Sequence, residues 1–167
     1  QGTPPGKFTW DGKAFGGLIA PDGKYTYVLT AVDRAGNAVV AEPLAFELNT
    51  EETTVLLTRE HDAFSPNADG IKDTQTLVPQ IKVHDGIEEY QIQVLDANGA
   101  VVRGLKGRGD VGEGYEWEGI TDSGGRAPDG TYTATMTIRY ENGNTPTAVC
   151  RPFVIDTSYP VVDVLAD

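Results

Sequence analysis

A long internal repeat constrains this chain more than any other feature of its sequence. When the chain is shifted by 107 positions, residues 8–50 align without a gap on residues 115–157. The aligned identities are Trp10 with Trp117, Gly12 with Gly119, Ala20-Pro21-Asp22-Gly23 with Ala127-Pro128-Asp129-Gly130, Tyr25 with Tyr132, Gly36-Asn37 with Gly143-Asn144, and Phe46 with Phe153. Chance does not place a rare tryptophan and two turns in one register, so we interpret the segments as copies of one unit.

The length of the repeat predicts the domain organisation. A period of about 107 residues is too long for a solenoid unit and suits a β-sandwich domain. We therefore predict that residues 1–50 are the C-terminal half of a preceding repeat and that residues 51–157 form a complete domain. Residues 158–167 would begin a following repeat.

Hydrophobic patterning predicts an all-β fold. Residues 131–140 alternate strictly, with Tyr132 and every second residue after it on one face. Residues 90–94 alternate in the same way, and Asp96-Ala97-Asn98-Gly99 supplies the Asn-Gly pair typical of a tight hairpin. No segment has the pattern of a long helix.

The N-terminal segment presents a packing problem. Residues 1–50 predict three strands, with an apolar face that includes Tyr25, Leu29 and Ala31. Such a face needs a second layer to bury it. The missing strands could come from sequence outside this chain, from a neighbouring chain or from packing on the full domain. Strand exchange or dimerisation through the incomplete half-domain is therefore one hypothesis.

Composition excludes several classes of function. Thirteen basic and 25 acidic residues give a net charge of −12, which disfavours binding to nucleic acid or to anionic lipid. No apolar run is long enough to insert into a membrane. The single cysteine, Cys150, excludes an intrachain disulfide and a cysteine-rich zinc site. We predict that Cys150 is buried in a strand.

One motif resembles a known family. Residues 63–74, Ala-Phe-Ser-Pro-Asn-Ala-Asp-Gly-Ile-Lys-Asp-Thr, resemble the opening of a bacterial Ig-like family that includes the flagellar hook-capping Ig-like domain and the gliding-motility-associated C-terminal domains. Trp117-Glu118-Gly119 and Asp129-Gly130-Thr131-Tyr132 are similar to the later part of that pattern. The resemblance implies a Greek-key Ig-like β-sandwich, tandem repetition and export to the bacterial surface or periplasm, with no catalytic residues.

The same loop is the best candidate for a metal site. Asn67, Asp69 and Asp73 offer oxygen ligands, and Gly70 permits a sharp turn, as in the first half of a calcium loop. The bidentate glutamate that usually follows is replaced by Thr76. The alternative is that these side chains accept backbone hydrogen bonds and shape a turn. Calcium is the one cofactor that the sequence suggests.

Residues that recur in both copies are predicted to be structural. The two tryptophans could stack on sugars, but recurrence at equivalent positions favours a packing role. The predicted structural set is Trp10, Trp117, Gly23, Gly130, Tyr25, Tyr132, Phe46 and Phe153.

Candidate catalytic residues do not form a recognisable site. His61 and His84 are the only histidines and lie far from any Ser-Asp motif. Ser123 belongs to a predicted turn. The acidic pairs Glu88-Glu89 and Glu116/Glu118 are typical of solvated strand faces, although glycosidases also use paired carboxylates. We predict that the chain is not an enzyme.

The resulting hypothesis is a structural scaffold module of a large exported bacterial protein, with neighbouring Ig-like repeats as its partners. The alternative is an adhesion module that binds a glycan or a protein through loops at one end of the sandwich. The glycine-rich stretch from Lys106 to Gly114 is the candidate binding loop.

Overall fold

The structure is a computed structural model, and it describes residues 7–159. The chain divides into two compact units, an N-terminal unit of residues 1–51 and a C-terminal unit of residues 52–167. The described part of the chain contains no helix that is long and apolar enough to cross a membrane.

In its described residues the N-terminal unit has four short strands, where the sequence predicts three. They are β1 (Gly23–Tyr27), β2 (Thr30–Val32), β3 (Ala38–Val40) and β4 (Leu44–Leu48). Strand β1 pairs with β4 and β2 pairs with β3, each pair antiparallel. Of the predicted apolar face, Tyr25 lies in β1, Ala31 lies in β2 and Leu29 lies between these two strands.

The described residues of the C-terminal unit form two sheets. Its strands are β5 (Val55–Arg59), β6 (Ala63–Phe64), β7 (Gln75–Ile81), β8 (Ile87–Leu95), β9 (Val101–Gly107), β10 (Tyr115–Trp117), β11 (Gly130–Tyr140), β12 (Thr147–Val149) and β13 (Phe153–Ile155). The first sheet has the order β10-β7-β5. The second has the order β6-β13-β11-β8-β9, and β12 also pairs with β11. The chain passes between the sheets several times, as in an Ig-like Greek key.

Alternating side chains from both sheets make one core. In β11 the residues Tyr132, Ala134, Met136, Ile138 and Tyr140 are all buried, which confirms the predicted strand and the face it buries. The first sheet contributes Val55, Leu57, Leu77 and Trp117 to the same cluster. The fold class predicted from the sequence, an all-β Ig-like sandwich, is confirmed.

A buried amide ties the loop after β5 to the first sheet. Gln75 is fully buried, and its side chain accepts a hydrogen bond from His61 N at 2.9 Å and donates one to His61 O at 2.7 Å. Both polar ends of the amide are therefore satisfied, as burial requires. Sequence reasoning gave no role to Gln75, because the pattern of β7 does not show which partner its side chain meets.

The hairpin predicted at residues 96–99 joins β8 to β9. Gly99 has a φ of 80°, and the Asp96 carboxylate accepts hydrogen bonds from Asn98 N and Ala100 N, each at 2.9 Å. The prediction for Cys150 is correct on burial and wrong on the strand, because β12 ends at Val149. Cys150 still exchanges two bonds with Ala134: its N donates to Ala134 O, and its Sγ accepts from Ala134 N.

Both units use the same strand registers at the 107-residue offset. Tyr25 pairs with Phe46 in the N-terminal unit, as Tyr132 pairs with Phe153 in the C-terminal unit. Thr30 pairs with Val40, as Thr137 pairs with Thr147. The boundaries 1–50, 51–157 and 158–167 stay a prediction, and residues 160–167 of the last segment lie outside the described residues.

Candidate functional site

Four aromatic rings form the centre of the C-terminal unit. The Trp117 ring lies 5.4 Å from Tyr132, 6.1 Å from Phe153 and 5.7 Å from Phe64, measured between centroids. Phe64 also lies 6.2 Å from Phe153. We call Trp117, Tyr132 and Phe153 the C-terminal aromatic cluster. Phe64 comes from the first half of the unit and closes this cluster against the sandwich core.

Turn chemistry holds these rings in place. Trp117 Nε1 donates a hydrogen bond to Ile120 O at 2.8 Å across a turn in which Gly119 has a φ of 71°. The Tyr132 hydroxyl donates to Pro128 O at 2.6 Å. Burial raises the pKa of Tyr132, and the negative charges of Asp96 and Asp129 add to the rise. The indole N–H and the phenol O–H of the cluster therefore each have a partner close by in the chain, three and four residues away.

The N-terminal unit contains the same three-ring arrangement. The Trp10 ring lies 5.1 Å from Tyr25 and 5.6 Å from Phe46, and Tyr25 stacks on Phe46 at 6.0 Å with 23° between the planes. The corresponding stack of Tyr132 on Phe153 is at 6.4 Å and 25°. Trp10 Nε1 donates to Lys13 O, the equivalent of Ile120 O. We call Trp10, Tyr25 and Phe46 the N-terminal aromatic cluster.

The two clusters differ in solvent exposure. Trp10 is 42% exposed whereas Trp117 is 4% exposed, and Phe46 is 38% exposed whereas Phe153 is fully buried. The C-terminal cluster is covered by the half of the repeat that carries Phe64. The described N-terminal unit begins at the position equivalent to residue 114, after that half. Its cluster therefore presents an aromatic face to solvent.

A carboxylate clamp recurs in both units and was not predicted. Asp129 accepts hydrogen bonds from Thr157 N at 3.0 Å and from its Oγ1 at 2.9 Å. Asp22 accepts the same pair from Thr50, at 2.9 and 2.8 Å. The signal was present in the sequence, since the Asp and the Thr both recur at the 107-residue offset. The clamp joins the turn before β1 or β11 to the end of the last strand.

The predicted metal-ligating residues form a loop closed by backbone hydrogen bonds. The Asp73 carboxylate accepts from Ala68 N and Gly70 N, both at 2.7 Å. Asp69 accepts from Ile71 N at 2.8 Å, and Asn67 accepts from Asp69 N at 3.0 Å. Ala68 has a φ of 67°, a conformation that the Asp73 contact supports.

This network agrees with the turn-shaping alternative for the loop. Among the described residues, no three His, Cys, Asp or Glu side chains are grouped so that they could hold a metal ion. Calcium binding by Asn67, Asp69 and Asp73 stays a prediction.

The other polar candidates lie apart from one another. His61 Nε2 is 3.9 Å from Glu60, and His84 Nδ1 is 3.9 Å from Asp110. Ser123 shares a hydrogen bond with Thr121 inside a turn. Both Glu88 and Glu89 contact Arg139 at 3.2 Å. Glu116 and Glu118 are exposed. The structure does not bring these groups together into one arrangement.

The glycine-rich stretch from Lys106 to Gly114 begins in β9 and continues as a loop. Its residue Val111 is buried in the core, whereas the residues on either side are exposed. The Tyr115 hydroxyl accepts a hydrogen bond from Gly112 N at 3.2 Å. A Cβ at Gly107 would lie 2.2 Å from the Tyr90 ring, so a larger residue at this position would have to displace the end of that side chain.

Residues 65–142 match the family model of the FlgD Ig-like domain. The resemblance to the flagellar hook-capping Ig-like domain is thereby confirmed for this part of the chain, and the resemblance to gliding-motility domains stays a prediction. No curated protein sequence matches the chain at a significant level.

Three solved structures illustrate the similarity. They are the dimeric latent PorU from Porphyromonas gingivalis (15% identity, TM-score 0.47, covering 84% of this chain and 13% of that one), a tetra-tandem repeat in the extending region of a large adhesion protein (26%, 0.45, 85% and 34%), and the fibronectin(III)-like modules of CbhA from Clostridium thermocellum (15%, 0.49, 89% and 71%). The chain thus spans a minor part of the first two. The fold is assigned from its own strand order and from the family match over residues 65–142.

Proposed function

We propose that this chain is a non-catalytic structural module that spaces or presents other domains of an exported bacterial protein. The proposal is supported by the hydrogen bonds that polar side chains make inside the C-terminal unit. The carboxylates and amides of its motifs are engaged in turns, clamps and strand connections. Such contacts make a domain stiff, which is what a spacer requires.

The observation that carries the proposal is a parallel pair formed by strands near the two ends of the C-terminal unit. Strand β6 lies near its start and β13 near its end, and the two run parallel. Val154 N donates to Asp62 O at 3.0 Å, and Asp156 N donates to Phe64 O at 3.2 Å. Tension applied to the ends of the unit pulls these strands in opposite directions along their length. The hydrogen bonds between them are then loaded together rather than one after another.

Single-molecule stretching of the C-terminal unit within the full chain tests this function. Asp156→Pro removes the N–H that donates to Phe64 O. We expect it to lower the unfolding force relative to the unchanged chain. Asp156→Ala is the matched control, because it removes the same carboxylate but keeps the N–H. Equal unfolding forces for the two variants would contradict a load-bearing role for the parallel pair.

The export of the protein is part of the proposal. It is supported by the resemblance of residues 63–74 to domains of exported surface proteins, together with an acidic composition suited to a soluble surface. A fusion of the native gene to an epitope tag, followed by protease treatment of intact cells, tests it. A tag protected until the cells are lysed would count against surface display, and fractionation of the periplasm would then decide whether the protein is exported at all.

The second candidate function is binding through the loop of residues 108–114. It is favoured by the way in which buried Val111 anchors an otherwise exposed loop at one end of the sandwich. A glycan array and a protein pull-down, each with the unchanged chain and with Arg108→Ala, separate this function from the first. Specific retention that the substitution abolishes would favour binding, and retention of nothing would leave the spacer function as the better explanation.

A further inference from the structure

We propose that the outer face of the second sheet of the C-terminal unit binds an oligosaccharide that carries carboxylate groups, in a cavity bordered by Lys106, Arg108 and Arg139. The cavity has a volume of about 410 Å³, which lies within the range of about 300–1,000 Å³ typical of small-ligand sites. The inference goes beyond the spacer function and does not depend on it, because a module can bind a sugar whether or not it carries load.

Strand pairing arranges the polar side chains of the cavity in two adjacent rows. In the first row, Thr137 of β11 pairs with Gln91 of β8, which pairs with Lys106 of β9. In the second row, Arg139 of β11 pairs with Glu89 of β8. The residues of β11 that alternate with these two are buried in the core. Because successive side chains of a strand point to opposite faces, both rows lie on the solvent side of the sheet.

The charge around the cavity is opposite to that of the chain. The chain carries 13 basic and 25 acidic residues, whereas the described side chains that line the cavity include three basic ones and one acidic one, Glu89. Within residues 7–159, Lys106 and Arg108 make no ion pair. Two unpaired cations beside a cavity of a negatively charged protein favour a ligand that is anchored by an anionic group.

Arg139 has a different role from the other two basic residues. Its Nη2 atom lies 3.2 Å from a carboxylate oxygen of Glu88 and 3.2 Å from one of Glu89. These contacts compensate the charge of Arg139 and hold the Glu89 carboxylate beside the cavity. An ionised carboxylate only accepts hydrogen bonds, so Glu89 supplies an acceptor next to the two unpaired cations.

This mixture of donors and acceptors fits a sugar acid better than a phosphate or a sulfate. The Gln91 amide can donate and accept, and Glu89 can accept, so together they match the hydroxyl groups of a sugar ring. A phosphate or sulfate group has no such donors when ionised and is repelled by Glu89. A sugar carboxylate can instead lie against Lys106 and Arg108 while the hydroxyl groups of the same ring reach Glu89.

An aromatic ring forms part of the same wall. Tyr90 lines the cavity together with Gly107, its partner in β9. A Cβ at Gly107 would lie 2.2 Å from Cζ of Tyr90, so the absence of a side chain there leaves the end of the ring beside the cavity. Ligand sites combine aromatic side chains with a few placed polar groups. The ring gives the C–H groups of a sugar an apolar contact.

The cavity differs from the candidate binding loop of residues 108–114. Only Arg108 belongs to both, because the other residues of the cavity lie on β8, β9, β11 and the turn after β11. A ligand in the cavity therefore depends on Gln91 of β8, whereas a ligand at the tip of the loop does not.

Nuclear magnetic resonance of the full chain tests the site, with trisaccharides of glucuronic, galacturonic and mannuronic acid as the probes. We expect at least one probe to shift the amide resonances of Gln91, Lys106 and Thr137. Added salt should weaken this binding, because ion pairs at a surface are screened. The carboxyl-reduced form of the same trisaccharide and inorganic phosphate are the controls. Each is expected to bind about tenfold more weakly, since it lacks either the carboxylate or the hydroxyl groups.

Three variants assign the binding to the cavity. Lys106→Ala should weaken it about tenfold, whereas Lys82→Ala, which removes the same charge from an exposed position outside the cavity, should leave it unchanged. Gln91→Met keeps the length of the side chain, removes the amide and should also weaken binding. The proposal is overturned if no acid shifts these resonances at millimolar concentration, or if either control probe binds as tightly as the acid. Equal losses for Lys106→Ala and Lys82→Ala, or full binding by Gln91→Met, overturn it as well.

Discussion

The two aromatic clusters have the same internal geometry and very different surroundings. Ring distances, hydrogen bonds from the tryptophan and tyrosine, and the Asp-Thr clamp recur in both units. Burial does not recur: the N-terminal cluster is partly exposed and the C-terminal cluster is not. The difference shows that the repeated half-unit with its turns arranges the rings in both places, whereas removing the rings from water requires the other half of the sandwich.

The largest difference is expected from truncation of the equivalent phenylalanines. Phe153→Ala leaves a cavity in a closed core and should lower the free energy of unfolding of the C-terminal unit by about 3–5 kcal/mol. Phe46→Ala removes a ring that is already partly in water and should lower stability by about 1 kcal/mol or less. Urea denaturation followed by circular dichroism measures both. Equal losses would mean that the N-terminal cluster is buried in solution.

Alanine at the two equivalent glycines should separate backbone strain from crowding. Gly12 and Gly119 both have positive φ, which destabilises alanine by about 1–2 kcal/mol in each unit. At Gly119 the new Cβ also meets Pro66, and such overpacking adds about 1–3 kcal/mol. Thermal denaturation of the two variants tests this. A Gly12→Ala variant that loses as much thermal stability as Gly119→Ala would show that Gly12 is crowded to the same extent.

The clamp should behave alike in both units, because both of its residues lie within the repeated segment. Asp129→Ala and Asp22→Ala each remove an acceptor for two hydrogen bonds, with an expected loss of about 1 kcal/mol in local stability. Hydrogen exchange at the amides of Thr157 and Thr50 measures that loss directly. An effect confined to Thr157 would break the equivalence, since it would make the clamp dependent on the complete sandwich.

The smallest expected effects are those of pH at one turn position. Asp33 of the N-terminal unit corresponds to Tyr140, and both precede a Gly-Asn turn. Hydrogen bonds from Asn37, first from its side chain, lower the pKa of Asp33 below its ordinary value of 3.8. The stabilisation is therefore complete above pH 3.8 and is lost as the pH falls through the lower value of the folded state.

Tyr140 is expected to lose its stabilising contribution at alkaline pH, whereas Asp33 loses its contribution at acidic pH. Burial raises its pKa, and its hydroxyl donates to Val83 O at 2.7 Å. Its contribution to the stability of the fold is complete below the pKa of about 10 of an unfolded tyrosine. That contribution is lost as the pH rises through the higher pKa of Tyr140 in the folded state. Amide resonances of Gly36 and Gly143, followed from acid to alkali, should show the two turns loosening at opposite ends. An acid-sensitive Gly143 would contradict this assignment.

Much of the C-terminal unit could be predicted from local pattern. The alternation of residues 131–140, the Asn98-Gly99 hairpin and the all-β class required only the period of a strand and the backbone preferences of turn residues. The extra strand in the N-terminal unit and the end of β12 before Cys150 were missed. Strand limits depend on which partner strand is available for pairing, and a single sequence does not specify that partner.

The candidate site was only partly predictable for the same reason. The recurrence of Trp10 and Trp117 marked both as important, but nothing in the local sequence distinguishes an exposed ring from a buried one. The Gln75 amide and the parallel pairing of β6 with β13 join residues that are far apart in the chain. Their spacing follows no periodic rule.

By itself, the sequence determined a repeated segment, its turns and the set of residues that each strand presents on one face. These depend on backbone conformation and on interactions between near neighbours, which act wherever the segment occurs. Only the tertiary structure decided which of the two copies is covered. Burial depends on the second layer, and the described structure contains that layer for Trp117 and not for Trp10.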